Sequence, residues 1–161
     1  MKQQPQLVLR PARAHDAYPL WLWRNDAEAR RGSFEQAPIS WLEHVAWLHD
    51  RVGDVSAVVL LAEQGDGRPL GSIRFDTRDG WRTARLSFVL APEIRGQGLG
   101  RPLVTEGVRY LRGTHPSVSI HADVHTGNER SLRIFRGLGW MEDASTDGVA
   151  RFWSADAAAP A

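Results

Sequence analysis

The residues richest in chemistry form one run: Leu90-Ala91-Pro92-Glu93-Ile94-Arg95-Gly96-Gln97-Gly98-Leu99-Gly100-Arg101. It lies between an alternating apolar segment and an amphipathic one, so it reads as a loop joining a strand to a helix. Glycines at 96, 98 and 100 let successive backbone N–H groups turn toward one point. The helix starting there adds unpaired N–H groups and the positive end of its dipole. Such a strand-loop-helix suits an anion, and a pyrophosphate is its natural occupant. Arg95 and Arg101 can add charge, because a guanidinium grips phosphate in a planar fork. Spacing excludes the two best-known phosphate loops. A dinucleotide fingerprint needs G-x-G-x-x-G and a Walker loop ends in Gly-Lys-Ser/Thr, whereas this run is G-x-G-x-G and ends in Gly100-Arg101-Pro102. Farther along, His121, Asp123 and His125 share one face of an alternating segment, since strand side chains repeat every two residues. Their spacing would admit a metal, but nothing else converges on them, and none is expected.

The elements that must position these groups alternate along the chain. Residues 7–10 read as a strand ended by Pro11, and 16–24 as a helix. Ser40-Trp41-Leu42-Glu43 is a capping box opening a second helix, with Trp41, Val45, Leu48 and Val52 on one face. Residues 55–63 and 70–76 form a hairpin about Gly65-Asp66-Gly67, and 82–90 a third strand after the Asp79-Gly80 turn. After the glycine loop, Leu99, Leu103, Gly107 and Leu111 give a helix its apolar spine, with Pro102 tolerated in the first turn. A strand at 117–124, a helix at 128–137 and a closing strand pair at Trp140-Met141 and 149–153 complete a mixed α/β order, β-α-α-β-β-β-α-β-α-β-β.

Composition bounds the rest. The 161 residues suit one domain over 1–161, with 155–161 as a frayed end, and 42% hydrophobic with 24% charged residues is globular. Lys+Arg is 20 against 19 acids, too even for a non-specific nucleic-acid binder. With no cysteine, disulfides and thiolate catalysis are excluded. No stretch approaches the roughly 18 apolar residues of a membrane span. Met1 to Gln6 lacks an apolar signal core, so a cytoplasmic location is expected.

Arg95-Gly96-Gln97-Gly98-Leu99-Gly100, preceded by Pro92, resembles the R/Q-x-x-G-x-G/A signature of the GNAT superfamily of N-acetyltransferases. The run from Asn128-Glu129-Arg130-Ser131 through Phe135 to Gly139-Trp140 is similar to that family's N-x-x-A/S-x-x-L-Y-x-x-x-G-F. The resemblance covers residues 7–153. It implies a single GNAT-type domain, with a mixed, mostly antiparallel sheet that splays at the cofactor site and is flanked by helices. It also implies acetyl-CoA. The pantetheine would pair with the free strand edge near Phe88, Val89 and Leu90, where a backbone N–H would stabilise the oxyanion. The loop Arg95, Gly96, Gln97, Gly98, Leu99, Gly100, Arg101 would hold the pyrophosphate, and Asn128 and Ser131 would meet the cofactor arm near its thioester end. Phe135 stands beside the cofactor where the family usually has a Tyr that protonates the leaving thiolate, a role Phe cannot fill. Relatives place a catalytic Glu five residues before the Asn, which here is Asp123. His125 is the second choice of base.

Trp23-Arg24-Asn25-Asp26, Arg30 and Arg31, and Ile39-Ser40-x-x-x-His44-x-x-Trp47 resemble acetyltransferases of UDP-linked amino sugars in pseudaminic acid and surface-polysaccharide pathways. That second resemblance implies nucleotide contacts from Arg24 and His44, with Asp76 and Thr77 lining the same pocket. The expected reaction is direct transfer of acetyl to the primary amine of a small molecule, a nucleotide-linked amino sugar, since no cysteine can carry an acyl intermediate. A protein N-terminal acetyltransferase is the alternative. A CoA-binding module without catalysis is the reading from another class, kept open by Phe135. No nucleic-acid or membrane partner is expected, and a homodimer is expected by analogy.

Overall fold

The computed structural model describes residues 6–155. Strand β1 (Leu7–Pro11) is followed by three helices, α1 (Ala17–Asn25), α2 (Ala27–Arg31) and α3 (Trp41–Arg51). Next come β2 (Ala57–Gln64), β3 (Pro69–Asp76) and β4 (Thr83–Leu90), then α4 (Gly100–Thr114), β5 (Ser119–His125) and α5 (Glu129–Gly137). The chain closes with β6 (Met141–Glu142) and β7 (Val149–Trp153). The strands form one sheet in the order β1-β2-β3-β4-β5-β7-β6. Neighbours pair antiparallel except β4 and β5, whose parallel pairing needs the long crossover that α4 supplies.

The β4–β5 ladder is what makes a site. It joins Thr83 to Ser119, Ala84 to Ile120 and Arg85 to His121, and then stops. Beyond that point β4 keeps β3 as its partner up to Leu90, while β5 keeps β7 up to His125. The sheet therefore opens into a V, with β4 and β5 as its walls.

Two cores hold the walls. On one face Ile73, Phe75, Leu86, Ile120 and Val124 pack under Leu103 and Leu111 of α4 and Leu132 and Phe135 of α5. On the other, Val59, Leu61 and Leu70 meet Leu20 and Trp23 of α1 and Leu48 of α3. Each such fully buried side chain contributes about 1.5–3 kcal/mol. The spine Leu99, Leu103, Gly107 and Leu111 is buried along its length, as its spacing predicts. The capping box also forms: Glu43 N–H donates to Ser40 Oγ at 3.3 Å and Ser40 N–H to Glu43 Oε2 at 3.0 Å.

Two departures matter. Helix α2 is additional to the elements expected. Asp26 starts it, its Oδ2 accepting from the N–H groups of Glu28 and Ala29 at 3.1 Å each, and none of its residues is buried. The inward stripe of α3 also differs: Trp41, Val45 and Val52 stay 40%, 37% and 42% exposed, and His44 and Leu48 are the buried pair. The reason is a competing aromatic seam. Trp41 packs edge-on against Trp21 of α1 at 5.5 Å, which rotates α3 about its axis. Among the described residues no helix is long and apolar enough to cross a membrane.

Candidate active site

The β4 wall ends in the glycine loop. Gly96 and Gly98 adopt φ of 77° and 80°, a region that favours glycine. Helix α4 begins at once, and its N-cap residue Leu99 supplies no side-chain acceptor to the first-turn N–H groups. Arg95 folds back as a brace. Its Nε donates to the Leu90 carbonyl at 3.1 Å, its Nη1 lies 2.6 Å from Asp26 Oδ2, and its Nη2 is buried without a partner. Arg101 departs from expectation. Its guanidinium lies against Gly137, where any Cβ would collide with it, near the C-terminal end of α5 whose dipole favours a cation. Loop backbone, not a pair of free guanidiniums, is what this segment offers an anion.

On the β5 wall Asp123 lies past the last rung of the β4–β5 ladder. Arg151, its cross-strand neighbour on β7, grips it with both ends of the fork, Nε to Oδ1 at 2.6 Å and Nη2 to Oδ2 at 3.0 Å. Burial pushes this carboxyl up, but the Arg151 hydrogen bonds and the charges of Arg151, His121 and Arg85 outweigh that and hold it below its ordinary range. The group is a carboxylate at neutral pH. His125 is engaged elsewhere: its Nε2 lies 3.2 Å from the Ser33 carbonyl and its ring 4.3 Å from Phe34. His121 keeps a buried, partnerless Nδ1, and burial lowers its pKa against the pull of Asp123, so the ring is neutral. Among the described residues no trio of His, Asp or Glu could hold a metal.

Asn128 and Ser131 shape the start of α5, where Asn128 Oδ1 accepts from Ser131 N–H at 3.2 Å. Phe135 does not line the cleft. It is 1% exposed and packs on Phe152 at 5.4 Å and Trp140 at 5.0 Å, because it belongs to the apolar stripe of α5. The Phe88 ring joins that cluster at 6.1 Å, leaving the backbone of Phe88, Val89 and Leu90 as the β4 contribution to the gap.

On the α1–α3 side the structure brings Arg24 toward His44. Arg24 Nη2 donates to the Glu35 carbonyl at 2.8 Å, and its Nη1 is buried without a partner. His44 is 3% exposed with Nε2 unpartnered, and burial lowers its pKa against a backbone hydrogen bond at Ala17. Asp76 and Thr77 do not join them. Asp76 pairs with Arg74 at 2.8 Å, and the buried Thr77 hydroxyl donates to the Thr83 carbonyl at 2.8 Å and takes the Trp81 N–H at 3.0 Å. They close the β3–β4 turn, at the opposite end of β4 from the glycine loop. Sequence reasoning passed over α2, whose Asp26 and Glu28 reach the loop. Its signal was Asp26 as N-cap before Ala-Glu-Ala-Arg-Arg.

The acetyltransferase (GNAT) domain family matches residues 6–141. The chain belongs to the GNAT family of acetyl-CoA-dependent N-acetyltransferases. Its fold is shared with spermidine N-acetyltransferase from Vibrio cholerae, solved with CoA and spermine, at a TM-score of 0.83 and 19% identity over 92% of this chain and 94% of that one. A putative phosphinothricin N-acetyltransferase superposes with a TM-score of 0.77 at 23% identity, over 92% of this chain and 98% of that one. At such identities the likeness shows the fold alone. An uncharacterised protein of Methanocaldococcus jannaschii is 22% identical over 141 residues, and the chain spans 29% of that protein's length. The GNAT domain's own residues fit acetyl-CoA. The glycine-loop N–H groups and the uncapped start of α4 suit a pyrophosphate, and the unladdered edge of β4 suits an amide-bearing arm.

Proposed function

We propose that this GNAT domain moves an acetyl group directly onto the primary amine of a small acceptor, with Asp123 receiving the amine proton. Bound acetyl-CoA supplies an acetyl group on a sulfur leaving group; transfer forms the amide C–N bond, breaks C–S and frees one proton from nitrogen. The reading rests on one observation: an ionised carboxylate, Asp123, stands on the β5 wall where the ladder to β4 has ended. Arg151 fixes the carboxylate's orientation. As Asp is short, a water completes the reach to the amine. The β4 backbone across the gap offers N–H groups to the carbonyl oxygen as charge develops on it. With Phe135 in the core, no side chain at that position protonates the thiolate, which departs unaided or takes its proton from water.

The acceptor we favour is a nucleotide-linked amino sugar. The buried, partnerless Arg24 Nη1 and His44 Nε2 support it, since both want a polar ligand. Spermidine, named for the V. cholerae neighbour, and a protein N-terminus are the competing acceptors. A turnover screen with acetyl-CoA over UDP-amino sugars, polyamines and N-terminal peptides decides among them; reaction with polyamines or peptides alone overturns the sugar reading. Asp123→Asn is expected to lower kcat about 100-fold while CoA affinity stays near wild type. Unchanged turnover would remove Asp123 from the mechanism.

A further inference from the structure

Residues 26–34 lie across the mouth of the V and touch both of its walls. On the β4 side Arg95 Nη1 sits 2.6 Å from Asp26 Oδ2 and 3.4 Å from Glu28 Oε2. On the α5 side Arg130 Nη1 sits 2.5 Å from Glu28 Oε1. Gly32 packs so tightly on Asn128 that a Cβ would come within 2.7 Å of its Nδ2. The Ser33 carbonyl meets His125 Nε2 at 3.2 Å. Helix α2 buries none of its residues, so these polar contacts set its position rather than the core. Glu28 bridges the glycine loop and α5, one oxygen to each.

The arrangement has a consequence for the cofactor. Arg95 belongs to the loop that faces the anion position, and Arg130 to the first turn of α5, two residues past Asn128. A phosphate and a carboxylate compete for the same guanidinium fork. Glu28 and Arg130 are 47% and 59% exposed, so water and salt screen their pair and an arriving anion can displace it. We propose that Glu28 is a positioning residue, holding the acceptor-side segment across both walls of the cleft, and that the pyrophosphate of acetyl-CoA competes with it for Arg95 and Arg130. Cofactor binding and the docking of the segment that leads to Phe34 and Glu35 are thereby coupled through one side chain. The proposal rests on the acetyl-CoA assignment and is independent of the acceptor's identity.

The test is calorimetric titration of wild type, Glu28→Gln, Arg130→Gln and the double variant with CoA, and separately with inorganic pyrophosphate. It is paired with limited trypsin digestion at Arg30 and Arg31 of the ligand-free proteins. Glu28→Gln is expected to bind CoA about 3-fold tighter at low salt, with the gain fading at high salt. The same variant is cleaved faster within α2, because one anchor of the segment is gone. In the double variant the gain in CoA affinity relative to Arg130→Gln shrinks, since one of the two competed guanidiniums is absent. Equal or weaker CoA binding by Glu28→Gln, or unchanged cleavage, overturns the proposal. Failure of the cofactor assignment looks different, as wild type itself would then not bind CoA.

Discussion

Asp16 serves cohesion, whereas the role proposed for Asp123 is chemical. Asp16 has a side chain only 5% exposed and takes Arg10 Nη1 and Nη2 at 2.8 Å each and the Arg13 N–H at 2.7 Å. Burial pushes its carboxyl up, but the Arg10 hydrogen bonds and the Arg13 N–H outweigh this and hold it below its ordinary range. Arg10 also meets Glu63 at 2.7 Å, so the cluster fastens β1 to β2 and to the turn before α1. A depressed carboxyl stabilises the fold above its unfolded pKa of about 3.9, and that stability is lost as pH falls through the folded value. Asp16→Asn should therefore cost about 3 kcal/mol at pH 7 and flatten the acid limb of stability, read by urea unfolding between neutral and acid pH. An unchanged acid limb would contradict this role. Asp123, by contrast, stands where a strand has lost its neighbour, and its position was legible from alternation. Its grip by Arg151 was not, because that depends on how β5 and β7 pair.

Among elements, β4 decides the shape of the site, and Gly71 on β3 decides where β4 lies. Gly71 pairs with Leu90, and a Cβ at 71 would come within 2.5 Å of the Val89 carbonyl. Gly71→Ala must push β3 and β4 apart where β4 has left β5, at a cost of about 2 kcal/mol. Urea unfolding should show that loss and CoA titration a weaker Kd; full stability with wild-type affinity would refute the close approach. The strand-loop-helix around 83–114 was readable because its cues are local: alternation, alternating glycines and an apolar spine. Helix α2 was not, since its five residues bury nothing and hold their place through partners elsewhere in the chain. The inward face of α3 was misread for a related reason: Trp41 is claimed by Trp21.

At the scale of the whole molecule, the V divides the sheet into two bodies joined at the short β4–β5 ladder and spanned at its mouth by residues 26–34. A ligand that fills the gap bonds to both and stabilises the folded state by mass action. CoA at about a hundred times its Kd adds about 2.7 kcal/mol. For a chain of this length that raises Tm by about 5–10 °C. Differential scanning calorimetry with and without CoA measures it, and Asp123→Asn should keep the shift, because the role proposed for that carboxylate lies with the amine and not the cofactor. A variant that loses both turnover and the shift would place Asp123 in the CoA site instead.

What residue order determined by itself was everything written in short-range physics: the glycine loop after a strand, the capping box at Ser40 and the face shared by His121, Asp123 and His125. Tertiary structure alone decided which charges are engaged. Arg95 meets Asp26 across 69 residues, and Arg151 meets Asp123 across 28. Such pairs follow from strand order and helix placement, which no local pattern of residues encodes. The same long-range packing drew Arg101 toward Gly137, carried Thr77 to the turn beyond β3, and clamped the ionised Asp123 carboxylate on Arg151.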